Sequence, residues 1–240
     1  MKDQLMIAIL LAGGSGTRLG RDKATLRLGG ETLLQRHMRQ AARAGVHRFL
    51  VIANPGNVQQ IKADVAATGY RDVKVCLQEG LTADGAALTG LRRVRTAGSV
   101  FVSGITDLVP DDTYERLAAC PSPIAVTTAV LQSTFIGGML TLGPDFRVTR
   151  IVERPAGGCP PGAWANIWVH RINGARLVRE LTATLADLGY YEVSMSVLFA
   201  RGHQGMAVPV EQWVPIKTPE TIRQAGARFG LAVPMEETTA

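Results

Sequence analysis

Apolar positions along this chain gather into short continuous runs separated by longer stretches of helical periodicity. Met6–Ala12, Phe49–Ala53, Val73–Leu77 and Ser99–Ser103 are runs of the length expected for buried strands. Between the first two, Leu33, Leu34, His37, Met38 and Ala41 recur at helical spacing and predict a helix closed by Gly45, with His37 as a packing residue. Val58–Thr68, an Ala-rich stretch opening at Asp84-Gly85-Ala86-Ala87, and Pro110–Ala119 predict further helices. Strands alternating with helices predict a parallel sheet with right-handed crossovers, and in such sheets ligands sit beyond the carboxyl ends of the strands.

The second half breaks that alternation. Ala125–Val130 reads as a strand, and Met139–Leu142 and Val148–Val152 flank Gly143-Pro144-Asp145 as a hairpin, which predicts a small inserted β subdomain. Trp164–Val169 and Ala207–Val210 are two more strands. A helix after Gly174 carries Leu177, Val178, Leu181, Leu185 and Leu188 on one face. Thr218 and Pro219 have the residue types of an N-cap and first turn for a last helix, and the tail from Pro234 is expected to be mobile.

Composition narrows the class of protein. With 46% hydrophobic and 19% charged residues, the 240 residues suit one soluble globular domain (1–240) rather than a disordered chain. The formal charge of +6 suits an anionic substrate, although it is spread along the chain; its densest cluster, Arg92, Arg93 and Arg95, reads as a solvated helix face. Only 5% of residues are aromatic and no nucleic-acid module is present, which argues against a nucleic-acid partner. Cys76, Cys120 and Cys159 lack metal-like spacing and leave an odd thiol, so a reducing cytoplasm is expected; the scattered histidines argue against zinc. Asp3 beside Lys2, and a first apolar run that ends in glycines, argue against a secretory signal, and no run approaches the roughly 20 residues of a membrane span. Assembly into a homo-oligomer is left open.

Chemistry concentrates in Leu10–Lys23, LLAGGSGTRLGRDK. Gly13, Gly14, Ser15 and Gly16 follow a buried strand directly, and glycines let successive N–H groups converge on anionic oxygens. Arg18 and Lys23 add the charge that a triphosphate needs. The stretch is neither a Walker loop nor GxGxxG. Asp107, past the carboxyl end of the Ser99–Ser103 strand, is placed to hold Mg²⁺, which favours one or two carboxylates plus water and phosphate oxygens. It could instead cap the helix after Pro110, a position for which Asp111 and Asp112 are better placed.

LAGGxGTRLGxxK resembles the signature of nucleotidyltransferases that join a nucleoside triphosphate to a small phosphorylated acceptor and release pyrophosphate. The resemblance implies an α/β, Rossmann-like three-layer α/β/α fold with a mixed, mainly parallel sheet, residues 1–120 binding nucleotide and residues 121–240, with the inserted β subdomain, binding acceptor. It implies that Leu11, Ala12, Gly13, Gly14, Gly16 and Thr17 hold the nucleotide, that Gln78 and Gly85 meet its base, and that Arg18, Lys23 and Mg²⁺-bound Asp107 are catalytic. Glu153-Arg154-Pro155 resembles the family's Glu-Lys-Pro motif, so Gly138, Glu153, Arg154 and the following Asn166 are expected to place the acceptor. The closing WVPIKTPETIRQA resembles W-x-D-x-x-T-P-E-x-x-x-x-A, but Pro215 stands where a second metal-binding aspartate is expected and Lys217 where glycine is usual. The Glu153 motif and the closing segment favour a sugar or polyol phosphate acceptor. The compact Gly20-Arg21-Asp22-Lys23 spacing also resembles the molybdopterin and cobinamide-phosphate nucleotidyltransferases, and Pro215 keeps open a catalytically silent, nucleotide-sugar-binding regulator. Several nucleobase edges can pair with the Gln78 amide, so the base is not specified.

Overall fold

The computed structural model describes residues 5–14, 16, 19–20, 22–94 and 98–233. In chain order the elements are β1 (Met6–Leu11), β2 (Arg27–Leu28), β3 (Glu31–Thr32), α1 (Leu33–Arg43), β4 (Arg48–Ala53), α2 (Val58–Ala66), β5 (Val73–Leu77), α3 (Ala83–Arg93), β6 (Ser99–Gly104) and β7 (Asp107–Leu108). There follow α4 (Thr113–Ala119), β8 (Ile124–Val130), β9 (Gly138–Leu142), β10 (Val148–Glu153), β11 (Trp164–Asn173), α5 (Ala175–Leu188), α6 (Tyr191–Ala200), β12 (Gly205–Pro209), β13 (Val214–Pro215) and α7 (Pro219–Phe229).

Alternation along β1 shows how the layers form. Ala8 and Leu10 face one core with Phe49, Val51 and Phe101, under Met38 and Ala41 of α1, Ile61 of α2 and Tyr114 of α4. Ile7, Ile9 and Leu11 face the other with Ile52 and Val102, under Ala87 and Leu91 of α3, Leu181 of α5 and Met195 of α6. A sheet buried on both faces needs strands apolar at every position, which is what the first-half runs supply. The fold is therefore a three-layer α/β/α sandwich.

Its central nine-stranded sheet has the order β10-β9-β11-β6-β1-β4-β5, with β8 beside β11 and β12 beside β8. β6, β1, β4 and β5 pair in parallel, as do β8 and β12, whereas β11 is antiparallel to β6, β8 and β9. The β9–β10 hairpin joins this sheet through β11 and does not form a sheet of its own. Along β11, residues 169–173 pair with β6, residues 164 and 165 pair with β9, and the register on β8 shifts between Asn166 and His170. The change of partner opens the sheet beside the end of β6.

A smaller third cluster builds the floor near Asp107. Leu26, Leu28 and Leu33 pack with Leu108, Val214, Ile216, Ile222 and Ala225, clamping β7 and β13 between the β2–β3 hairpin and α7. Thr218 and Thr221 form a reciprocal capping box at the start of α7, Pro219 occupies its first turn, and Gly230 ends it in the left-handed region. Elsewhere the local expectations shift. Thr82 caps α3 two residues before Asp84, which accepts the Tyr191 N–H at 2.8 Å. Asp112 occupies the N-cap position of α4 without a side-chain hydrogen bond, while Asp111 takes Arg36 at 2.8 Å and Arg39 at 3.1 Å. Leu188, at the end of α5, is exposed. Helix α6 escapes a periodicity reading because its buried face mixes Tyr191, Met195, Leu198 and Phe199 with Glu192 and Ser194, while Val193 and Ala200 are exposed. The tail from Pro234 and Arg95 lie outside the described residues; Arg92 and Arg93 are exposed, and both pair with Glu79.

Candidate active site

The strand order dictates where a ligand can enter. From β1 the chain builds outward through β4 and β5, then returns to lay β6 on the opposite side of β1. That reversal leaves a crevice at the carboxyl ends of β1 and β6, the place where open α/β sheets bind ligands. A cleft of about 540 Å³ occupies it, running from Gly13 and Gly14 past Lys23 and Asp107 to Glu153 and Asn166.

At the β1 end of the cleft the glycine loop is pinned from behind. In the turn after β4, Asn54 donates through Nδ2 to the Gly13 carbonyl at 2.9 Å. Asn57 donates through Nδ2 to the Ala12 carbonyl at 2.7 Å and also to the Asp22 carboxylate. Gln78 is carried over the loop by its backbone N–H, which donates to Ala53 O at 2.9 Å. Its Oε1 fills the space a side chain at Gly13 would take, so glycine there is a packing requirement. Gly13→Ala is therefore expected to displace Gln78 and raise the KM for the nucleotide roughly tenfold. Pyrophosphate release at varied nucleotide concentration measures it, and an unchanged KM would remove Gln78 from the nucleotide contact.

Asp107 marks the centre. Its Oδ1 accepts the Trp213 indole N–H at 2.9 Å, and its backbone pairs across β7–β13 with Pro215. Burial raises its carboxyl to about 6, against the pull of the Trp213 hydrogen bond and the charges of Lys217 and Lys23. His37 supports it from beneath: Nε2 lies 3.0 Å from the Asp107 carbonyl, and Nδ1 lies 2.9 Å from the Tyr114 hydroxyl and 3.3 Å from Ser103 Oγ. Burial lowers the His37 imidazole to about 4, so it is neutral at pH 7. His37 thus does more than fill the core, since it fixes the backbone that presents Asp107. Lys217 lines the same cleft, donating through Nζ to Ile136 O at 2.8 Å and lying 3.8 Å over the Phe135 ring.

Comparison with known proteins places this architecture. The family model for the MobA-like NTP transferase domain matches residues 8–135, which span most of β1, the glycine loop, Gln78 and Asp107. The chain belongs to this family. The probable molybdenum cofactor guanylyltransferase of Opitutus terrae is 43% identical to it over 54 residues, 22% of this chain. The match spans 27% of that relative's length.

The half of the cleft outside the family match is built by β9, β10 and β11. Gly138, Glu153, Arg154 and Asn166 all line it. Gly138 is a close-approach glycine, since a carbon added there would stand 2.5 Å from Glu153 Oε2 and 3.3 Å from Asn166 Nδ2. Arg154 has left-handed backbone (φ 46°), its N–H donates to Gly137 O at 3.0 Å, and its exposed guanidinium lies 3.4 Å from Glu153 Oε1. Burial raises the Glu153 carboxyl, opposed by Arg154 and Lys217. Trp168 forms a wall beside Glu192, whose carboxyl burial raises to about 7 against the pull of the Trp168 indole.

Other expected residues stand differently. Leu11, Gly13, Gly14, Gly16, Lys23 and Gln78 line the cleft, whereas Ala12 and Gly85 do not. Gly85 is small for another reason: a side chain there would strike the Glu79 carbonyl, and Thr82, Ala83 and Ala86 face the cleft instead. Thr17 and Arg18 lie outside the described residues. Pro215 lies opposite Asp107 and offers no side-chain ligand atom, so the second-aspartate place carries a ring of carbons where a carboxylate is expected. Among the described residues, no three His, Cys, Asp or Glu side chains converge as a metal site, and no helix is long and apolar enough to cross a membrane. All three cysteines are free thiols, and Cys159 donates to Gly137 O at 3.2 Å.

His170 on β11 was not singled out by sequence because a lone histidine in an apolar strand carries no motif. It is fully buried, 3.0 Å from Asn166 Oδ1 and 3.3 Å from the Tyr191 hydroxyl. Burial lowers its imidazole to about 4, the nearby Ile167 carbonyl pulling the other way, so the unfolded chain binds a proton there more readily than the folded one. Its contribution to stability is present above the free value of 6.5 and is lost as pH falls toward about 4. Urea unfolding should therefore weaken between pH 6.5 and 5 by on the order of 2 kcal/mol more in the native chain than in His170→Phe. Equal pH dependence in the two would contradict a buried neutral imidazole.

Proposed function

We propose that the protein transfers a nucleotidyl group from a nucleoside triphosphate to a small phosphorylated acceptor and releases pyrophosphate. The observation that carries this reading is the single cleft joining the pinned glycine loop and Lys23 to Asp107 and onward to Glu153 and Asn166. The acceptor phosphate is itself a nucleophile, so in-line attack on the α-phosphorus needs positioning and charge neutralisation but no covalent intermediate.

Lys23 lies on the triphosphate side, where its ammonium would stabilise charge gathering on the departing pyrophosphate. Asp107 suits magnesium by donor chemistry: a hard carboxylate on the cleft, oriented through one oxygen by the Trp213 indole. Magnesium bound there would neutralise phosphate oxygens, with water and nucleotide completing a shell to which the Pro215 side chain adds no ligand. Lys217 adds a positive charge close enough to lower the Asp107 carboxyl.

The family and the molybdenum cofactor relative support a guanylyl transfer to a phosphorylated cofactor precursor. A second acceptor class, sugar or polyol phosphates, is favoured by Glu153 and Asn166 converging over Gly138, because a carboxylate and an amide side by side suit a hydroxyl-rich ligand. Mass spectrometry of products from each of the four common NTPs with molybdopterin and with a panel of sugar and polyol phosphates distinguishes them. A GMP–pterin adduct supports the first class, and an NDP-sugar or NDP-polyol the second. Tight nucleotide-sugar binding without any product would replace both with a silent regulator.

A further inference from the structure

Asn166 Nδ2 is the unexplained polar atom of the acceptor end. Asn166 is only 5% exposed, its Nδ2 has no hydrogen-bond partner among the described residues, and the side chain lines the cleft. A buried donor left without a partner costs about 1–3 kcal/mol unless a ligand or water meets it. Its orientation is set from behind, where Asn166 Oδ1 lies 3.0 Å from His170 Nε2 and His170 Nδ1 lies 3.3 Å from the Tyr191 hydroxyl. The His170 and Tyr191 rings stack with their planes at 15°, and Trp168 packs 4.9 Å from Tyr191. The imidazole is thus held in one plane.

We infer that Tyr191 and His170 form a proton-ordered relay that fixes the Asn166 amide with its NH₂ toward the cleft, making His170 a positioning residue for the acceptor. A neutral imidazole has one N–H. The Tyr191 hydroxyl donates to Nδ1, Nε2–H donates to Asn166 Oδ1 at 3.0 Å in preference to the nearby Ile167 carbonyl, and the amide NH₂ is left to donate into the cleft. The subsite therefore takes a ligand oxygen with a lone pair, and Glu153 Oε2 beside it takes a ligand O–H. One hydroxyl, or two neighbouring hydroxyls, satisfies both groups. This deepens the proposed transfer reaction and rests on it for the identity of the ligand: the pair selects an acceptor hydroxylated near its phosphate.

Two measurements test the relay. Long-range ¹H–¹⁵N NMR on the native full-length chain at pH 7 reads the His170 tautomer without any turnover. The relay requires the neutral Nε2–H form; an Nδ1–H form would reverse the amide and overturn the inference. Kinetics with His170→Phe, which keeps the stacked ring but removes the donor, should raise the acceptor KM about tenfold and leave the nucleotide KM within about twofold. His170→Gln, which can donate from nearly the same place, should recover most of that loss. An unchanged acceptor KM in His170→Phe, or an equal rise in both KM values, would overturn the positioning role. If the native protein transfers nothing to any acceptor, the proposed function fails on that result alone, while the tautomer still decides the relay.

Discussion

Asp107→Asn is expected to lower magnesium-dependent transfer by about 10³-fold while leaving the fold intact. Asparagine preserves an oxygen for the Trp213 indole, which donates to Asp107 Oδ1 at 2.9 Å, and leaves the His37 contact untouched because it is made to the backbone carbonyl. The carboxyl is also raised to about 6 by burial, so removing its charge relieves a desolvation cost. Thermal unfolding should therefore shift little, and a magnesium titration of the rate should show no saturable activation. Native-like activity in the variant would take Asp107 out of the metal site.

Lys23→Ala is the second large effect. Lys23 lines the cleft on the loop side, and its charge reaches Asp107, but it is only partly buried and belongs to none of the three hydrophobic clusters. Turnover should fall roughly 10²- to 10³-fold, as expected when a cation that stabilises transition-state charge is removed. Stability should change by less than about 1 kcal/mol. Lys23→Arg, which keeps the charge on a differently shaped head, should retain part of the rate. Parallel loss of rate and stability would contradict a role in charge stabilisation.

How much of this was legible before the structure follows from the physics of each signal. β1, β4, β5 and β6 announce themselves because a strand buried on both faces must be apolar throughout, and the glycine loop because close backbone approach leaves few residue choices. The α7 cap is local chemistry and reads directly from Thr218-Pro219. What escaped depends on contacts distant in sequence. Asp107 is set by Trp213, 106 residues away, and by His37, 70 residues away. The loop is pinned by Asn54 and Asn57 from a turn that looks like punctuation. Gly85 shows the converse error: a glycine at a helix start suggests ligand approach, yet a neighbouring carbonyl accounts for it. α6 was missed because its buried face carries Glu192 and Ser194 while Val193 on the other side is exposed, so polarity does not trace the face that packs.

The account turns on which phosphorus bond is broken, and a double-label experiment reads that bond directly. The purified chain, Mg²⁺ and the acceptor panel are incubated in parallel with NTPs carrying ³²P at the α or the γ position. The account predicts that α label moves into an acceptor adduct and γ label leaves as pyrophosphate, in equal amounts. Gamma label released as orthophosphate or carried onto the acceptor, with α label remaining in NDP, would mean cleavage at the terminal phosphate and would contradict nucleotidyl transfer.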